Sequence, residues 1–192
     1  ARTTPTSVTV SWGVPIARGG SPITGYTATA YSTANEGTVL GRCSTDGAGR
    51  SCRLPATVGR TYYVEVTATT AAGTSAPSAP RVRATPRTVP SAPLEVRVAG
   101  APGGARVSWS PAAANGSPVT GYAAEAMTAA TGGTAIARCT APATMSGCTL
   151  GGLVAGTRYH VSVTATNGVG TSAPSAPRQA VTPTRAATVR ST

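Results

Sequence analysis

Hydrophobic and polar residues alternate with a period of two in stretch after stretch of this chain. In Thr61-Tyr62-Tyr63-Val64-Glu65-Val66-Thr67-Ala68-Thr69, the residues Tyr62, Val64, Val66 and Ala68 fall on one side, and Tyr63, Glu65, Thr67 and Thr69 on the other. That is the pattern of a strand with one buried face. Residues 158–166 repeat it, and shorter versions occupy residues 8–12, 26–30 and 94–98. Clusters of Gly, Pro and Ser separate these runs at short intervals, and no stretch carries a helical period. The pattern predicts an all-β sandwich of antiparallel strands.

The same pattern occurs twice. Val10-Ser11-Trp12 returns as Val107-Ser108-Trp109, and Gly20-Ser21-Pro22-Ile23-Thr24-Gly25-Tyr26 as Gly116-Ser117-Pro118-Val119-Thr120-Gly121-Tyr122. Cys43 and Cys52 return as Cys139 and Cys148, and residues 73–80 return as residues 170–177. The offset is 97, falls to 96 after the tryptophan and recovers to 97 at Gly59/Gly156, as one deletion and one insertion in loops would produce. A repeat of this length within 192 residues implies two tandem sandwiches, expected over 1–87 and 88–183 with a tail at 184–192. The second copy has a first strand, Leu94 to Val98, ahead of its tryptophan. Ala1 corresponds to Val98, so the first copy is expected to lack its strand A. The proline-rich segment 81–93 reads as an extended, semi-rigid connector.

Several residues carry a family resemblance. A tryptophan on the second strand, Gly-Ser-Pro-(Ile/Val)-Thr-Gly-Tyr leading the third, Gly-x-x-Tyr-x-Val-x-Val-x-Ala on the sixth, and the turn Asn167-Gly168-Val169-Gly170 all resemble fibronectin type III domains. Thr70-Ala71-Ala72-Gly73 is a looser counterpart of that turn. The resemblance covers nearly the whole chain and implies two tandem immunoglobulin-like sandwiches. It also implies that Trp12 and Trp109 are core residues, and that Tyr62 and Tyr159 open strand F as tyrosine-corner residues. The short-range cysteine pairs depart from the familiar animal pattern. They look like a variant found in secreted proteins of high-GC, actinobacterial-type bacteria, which agrees with a composition rich in Ala, Gly, Thr, Pro, Val and Arg.

Four cysteines allow three connectivities. The repeat favours Cys43–Cys52 and Cys139–Cys148, one bridge per copy, over a zinc site, because His160 is the single histidine and lies far along the chain. Bridges imply export from a reducing cytoplasm and an extracellular or cell-surface location. The chain opens on Ala1-Arg2-Thr3 without a methionine or signal peptide, and reads as a processed product or fragment. It contains no run of apolar residues long enough to span a membrane as a helix.

The formal charge is +11, carried by sixteen arginines and no lysine against Glu36, Asp46, Glu65, Glu95 and Glu125. The arginines are dispersed rather than blocked. This favours solubility and weak attraction to anionic or glycan cell-wall polymers over specific nucleic-acid binding. Tyr31 and Tyr63 are the aromatics that look loose enough to serve as a sugar platform.

No cofactor or metal is expected, and little supports catalysis. His160 stands where the first copy has Tyr63, and Glu125 where it has Thr29, so neither belongs to a site the copies share. No carboxylate pair and no Gly-x-Ser-x-Gly elbow is present. Residues 100–104 read as a turn between strands rather than a phosphate cradle, and Asn115 of Asn115-Gly116-Ser117 reads as a turn residue rather than a glycan acceptor.

The expected function is a non-catalytic extracellular structural or interaction module: a stalk, surface coat or filament subunit. Its partners would be neighbouring copies or adjacent domains of a longer chain. The alternative is a spacer or accessory part of a secreted polysaccharide hydrolase or other exported enzyme. Within the tail, Ala187-Thr188-Val189-Arg190-Ser191 loosely resembles residues 93–97 and could serve as a strand exchanged into a neighbouring subunit.

Overall fold

The computed structural model describes residues 6–16 and 20–185. These contain no helix and divide after Arg87 into two compact units, described separately below.

In unit 1, β1 (Thr6–Ser11) pairs with β4 (Ser51–Ala56) in one sheet. The other sheet runs β3 (Val39–Asp46), β2 (Ile23–Tyr31), β5 (Tyr62–Thr70), with β6 (Gly73–Thr74) and β7 (Val82–Ala84) both along the far edge of β5. In unit 2, β8 (Leu94–Ala101) and β12 (Gly147–Gly151) flank β9 (Gly104–Ser110). The facing sheet runs β11 (Ala137–Pro142), β10 (Val119–Met127), β13 (Tyr159–Asn167), β14 (Gln179–Val181). All pairings between these strands are antiparallel.

The repeated motifs have local physical reasons. Thr24 and Thr120 each donate a hydroxyl hydrogen bond to a carbonyl on the neighbouring strand, Thr69 and Thr166 respectively, at 3.1 Å. The glycine that follows sits at a bulge in each copy. A Cβ on Gly25 would come 3.0 Å from the Thr45 carbonyl oxygen, and one on Gly121 would come 3.1 Å from that of Ala141, so the bulge leaves little room there for a side chain. The Thr-Ser-Ala-Pro-Ser run replaces an edge strand. In unit 2, Ser172 and Ser175 donate their N–H groups to the carbonyls of Ala165 and Val163, and their hydroxyls accept the return N–H bonds at 3.0 Å. Ser75 and Ser78 do the same for Ala68 and Val66. The serines thus satisfy a strand edge that the intervening proline cannot.

Each core is built on a tilted Trp–Tyr pair, with ring centroids 5.5 Å apart for Trp12–Tyr26 and 5.3 Å for Trp109–Tyr122. The Tyr62 hydroxyl accepts from the Thr57 N–H at 2.8 Å, and that of Tyr159 from the Val154 N–H at 3.1 Å. Both are tyrosine-corner bonds reaching back a few residues.

The cores are unequal. Among the described residues, the buried cluster of unit 2 holds fourteen residues and that of unit 1 six. Trp109, Val163 and Ala165 are buried; their counterparts Trp12, Val66 and Ala68 are half-buried. In unit 2, Val96 and Val98 of β8 pack against the core. No third strand accompanies β1 and β4 among the described residues of unit 1.

The connector expectation is corrected. Residues 81–93 are not a free extended link, because almost all of them are bound into one unit or the other. Val82 to Ala84 form β7, and the Pro86 carbonyl accepts from the Gly59 N–H at 3.0 Å. On the other side, Thr88 and Ser91 donate to the carbonyls of Asn115 and Ala113, and Pro90 and Pro93 are buried. Proline density reported an extended backbone here, but one packed against a domain.

Candidate interaction surface

The disulfides join the two sheets of each sandwich. Cys43 on β3 bonds Cys52 on β4, and Cys139 on β11 bonds Cys148 on β12, at the same sequence separation of 9. No free cysteine remains. Each bridge staples the short connection between consecutive strands of opposite sheets. Residues 187–191, the candidate exchange strand, lie outside the described residues.

The residues weighed for chemistry are dispersed. His160 is half-buried on β13, between Met127 of β10 and Ala180 of β14 in the strand register. Glu125 pairs across strands with Arg138 at 3.7 Å, with both side chains well exposed. Asn115 adopts φ +52° and donates its side-chain amide to the Val89 carbonyl at 2.9 Å, which makes it a turn residue tied to the neighbouring backbone. Among the described residues, no group of three or more His, Cys, Asp or Glu is arranged to hold a metal ion.

One polar cluster in unit 1 escaped the sequence reading. Glu65 receives Arg81 Nε at 2.7 Å and the Tyr31 hydroxyl at 2.8 Å, and the Arg81 guanidinium lies 3.5 Å over the Tyr31 ring. Arg81 also donates to the carbonyls of Thr33 and Glu36, so it clasps the loop between β2 and β3. Arg178 does the same in unit 2 through the carbonyls of Ala129 and Gly132. The arginine shared at one repeat position was the available signal. The expectation that Tyr31 is a loose aromatic is therefore corrected: one face is covered by Arg81 and the hydroxyl is engaged.

Burial pushes the Glu65 carboxyl up, but the hydrogen bonds from Arg81 and Tyr31, with the Arg81 charge, outweigh it and hold the group below its ordinary value. The same bond, with burial, raises the Tyr31 hydroxyl. A carboxyl whose pKa is depressed by folding stabilises fully above its unfolded pKa, and that contribution fades as pH falls through the folded value. Unit 1 should thus lose stability in acid below about pH 4.5, and Glu65→Gln should flatten that dependence. Unfolding midpoints of the two proteins from pH 3 to 7 check this; parallel curves would remove the clasp from the account.

Unit 1 also carries a mainly apolar groove of about 650 Å³, lined by residues that include Trp12, Pro15, Ile23, Tyr26, Val66 and Ala68. Tyr26 is buried, yet its hydroxyl has no hydrogen-bond partner among the described residues. Its counterpart Tyr122 accepts from the Ala112 N–H at 3.1 Å. At the offset of 96 that holds after the tryptophan, Ile16 is the counterpart of Ala112.

Two antiparallel sheets packed face to face, stapled across by a disulfide and closed by a tyrosine corner, define an immunoglobulin-like sandwich, present here in tandem. The chain belongs to the fibronectin type III domain family, whose model matches residues 1–83 and 91–181. Among solved structures it is similar to the FN1–FN3 domains of chicken CNTN1, at 22% identity and a TM-score of 0.50. That match covers 96% of this chain, which spans 64% of the length of the CNTN1 structure. It is also similar to a two-domain fibronectin type III segment of chicken tenascin, at 20% identity and a TM-score of 0.48, covering 95% of each chain. At such identities the likeness concerns fold alone. No curated protein sequence matches the chain. Tandem domains of this family, stapled by disulfides, suggest an interaction or structural module.

Proposed function

We propose that this chain is a non-catalytic extracellular module, a stalk, surface coat or filament component that acts by binding other polypeptides. The observation that carries the reading is the placement of both disulfides. Each joins the two sheets of its own sandwich at the same repeat position, so the staple belongs to the framework of each domain. Such staples persist in oxidising surroundings and suit a sandwich with a small core. The groups shared by both copies support the same reading, because the Trp–Tyr pair, the tyrosine corner, the edge serines and the loop-clasping arginine each hold the framework together. Weak attraction to anionic wall polymers, from the dispersed arginines, would be secondary. The source is proposed to be a high-GC bacterium.

The test is fractionation of the producing cell with intact-mass analysis of the recovered protein. The expected result is recovery from the cell surface or medium, at a mass four hydrogens below that of the reduced chain. Recovery from the cytoplasm with reduced thiols would overturn the reading.

A further inference from the structure

The sheet β3–β2–β5–β7 of unit 1 carries tyrosines and unpaired arginines where the equivalent sheet of unit 2 does not. Tyr31, Tyr63 and Arg83 stand where unit 2 has Met127, His160 and Ala180. They lie side by side on three neighbouring strands, in the register Tyr31↔Tyr63↔Arg83. One pair further along, Thr29 takes the place of Glu125. In unit 2, Arg138 is paired with that glutamate; its counterpart Arg42 faces Thr29 and stays exposed, without an ion pair among the described residues. Arg83 is also exposed and unpaired among them, and half-buried Tyr63 has neither its ring nor its hydroxyl engaged. The framework does not require these tyrosines. Arg178 clasps its loop through the carbonyls of Ala129 and Gly132 with Ser162 in place of Glu65 and Met127 in place of Tyr31. In unit 1, Glu65 and Tyr31 instead fix the Arg81 guanidinium 3.5 Å over the Tyr31 ring, beside the free Tyr63.

We propose that this face of unit 1 binds an acidic polysaccharide, with one sugar ring stacked on Tyr63 and the acid groups of flanking sugars held by Arg42 and Arg83. A tyrosine offers an apolar ring to the C–H face of a sugar and a hydroxyl to its polar edge. Guanidinium groups hold carboxylate or phosphate oxygens through charge-assisted hydrogen bonds. Glu65 does not oppose an anion, because Arg81 neutralises it at 2.7 Å. The other carboxylates of unit 1 lie to the side, Glu36 on the loop after β2 and Asp46 at the end of β3. Arg42 and Arg83 stand on the two outer strands of the row β3–β2–β5–β7. Strand spacing puts them roughly 14 Å apart across the sheet, so one ligand must run over several sugars to reach both. A single-stranded nucleic acid would want successive aromatic platforms, and Tyr31 is already covered on one face by Arg81. This inference names a ligand for the extracellular module proposed above and rests on that reading. Fractionation and mass test the reading and binding tests the face, so the two fail separately.

The probes are polygalacturonate, which carries carboxylates, and a phosphomannan, which carries phosphates. Each is titrated into the full 192-residue chain at about 0.15 M salt. The expected result is saturable binding of at least one, the tighter of the two identifying the acid group, and no binding of neutral dextran. Arg83→Ala should weaken binding about threefold or more. Arg83 is exposed, so this variant tests the face without burdening the fold. Tyr63→Thr should weaken binding about fivefold or more, and Tyr63→Phe should keep it because the ring remains. Arg106→Ala, at an exposed arginine of β9 in unit 2, should leave it nearly unchanged. Absence of binding to both polymers, or equal binding of dextran, overturns the inference. So does equal weakening by Arg83→Ala and Arg106→Ala with no effect of Tyr63→Thr, which would leave only dispersed charge. Tighter binding of oligothymidylate, lost on Tyr63→Thr, also overturns it by giving the face to single-stranded nucleic acid.

Discussion

Reduction of the disulfides should unfold unit 1 while unit 2 stays folded. Each bridge closes a short loop, with a sequence separation of 9, and by chain entropy contributes about 2–3 kcal/mol. The two losses are similar, but the reserves are not. Among the described residues, the buried cluster of unit 1 holds six residues and that of unit 2 fourteen. Small domains are marginal, and one staple is a large share of their total stability. Calorimetry of the oxidised chain should show two transitions, the lower from unit 1. Reductant should abolish the lower one near room temperature and only shift the upper. Cys43→Ala with Cys52→Ala should reproduce the first effect alone. Equal shifts of both transitions would mean that the cores are equally complete.

Replacing Asn167 should damage unit 2 more than any other single polar substitution in it. Its buried side chain donates to the carbonyls of Thr88 at 2.9 Å, and of Ala114 and Ser117 at 3.2 Å. The same side chain accepts from the N–H groups of Val169 and Gly170. It ties the segment before β8, the loop before β10 and the final turn together. Asn167→Ala should cost about 2–4 kcal/mol, because it removes several hydrogen bonds at once and takes the donor from the carbonyl of buried Ser117. The upper transition should fall by at least about 10 °C with the lower unchanged. Asn167→Asp should be worse, since it keeps the turn but sets a carboxylate against three carbonyl oxygens. A loss below about 1 kcal/mol for Asn167→Ala would make this network incidental.

How far the sequence reveals this varies with the range of the interaction. Strand alternation, the repeat and the turns are local, and they locate the sandwiches and the bridges. Asn167 reads as a turn residue because its acceptors lie 50 to 79 residues away. Thr70 in the first copy lacks an amide to make the same bonds, and that contrast was the available clue. Arg81 reads as one of many dispersed charges, since its partners on β2, β5 and the loop after β2 meet only when the sheet forms. Residues 88–93 read as linker because proline signals extended backbone without saying against what it packs. The groove of unit 1 was not legible, because its lining comes from segments as distant as Trp12 and Ser78.

The central claim is that, among the described residues, the second sandwich buries its shared framework more completely than the first. Residue-resolved amide hydrogen exchange of the full chain tests it most directly. The account predicts that the amides of Val66 and Ala68 exchange faster than those of Val163 and Ala165, which make the equivalent bonds to serine hydroxyls in a buried setting. Equal protection of the two sets would contradict it.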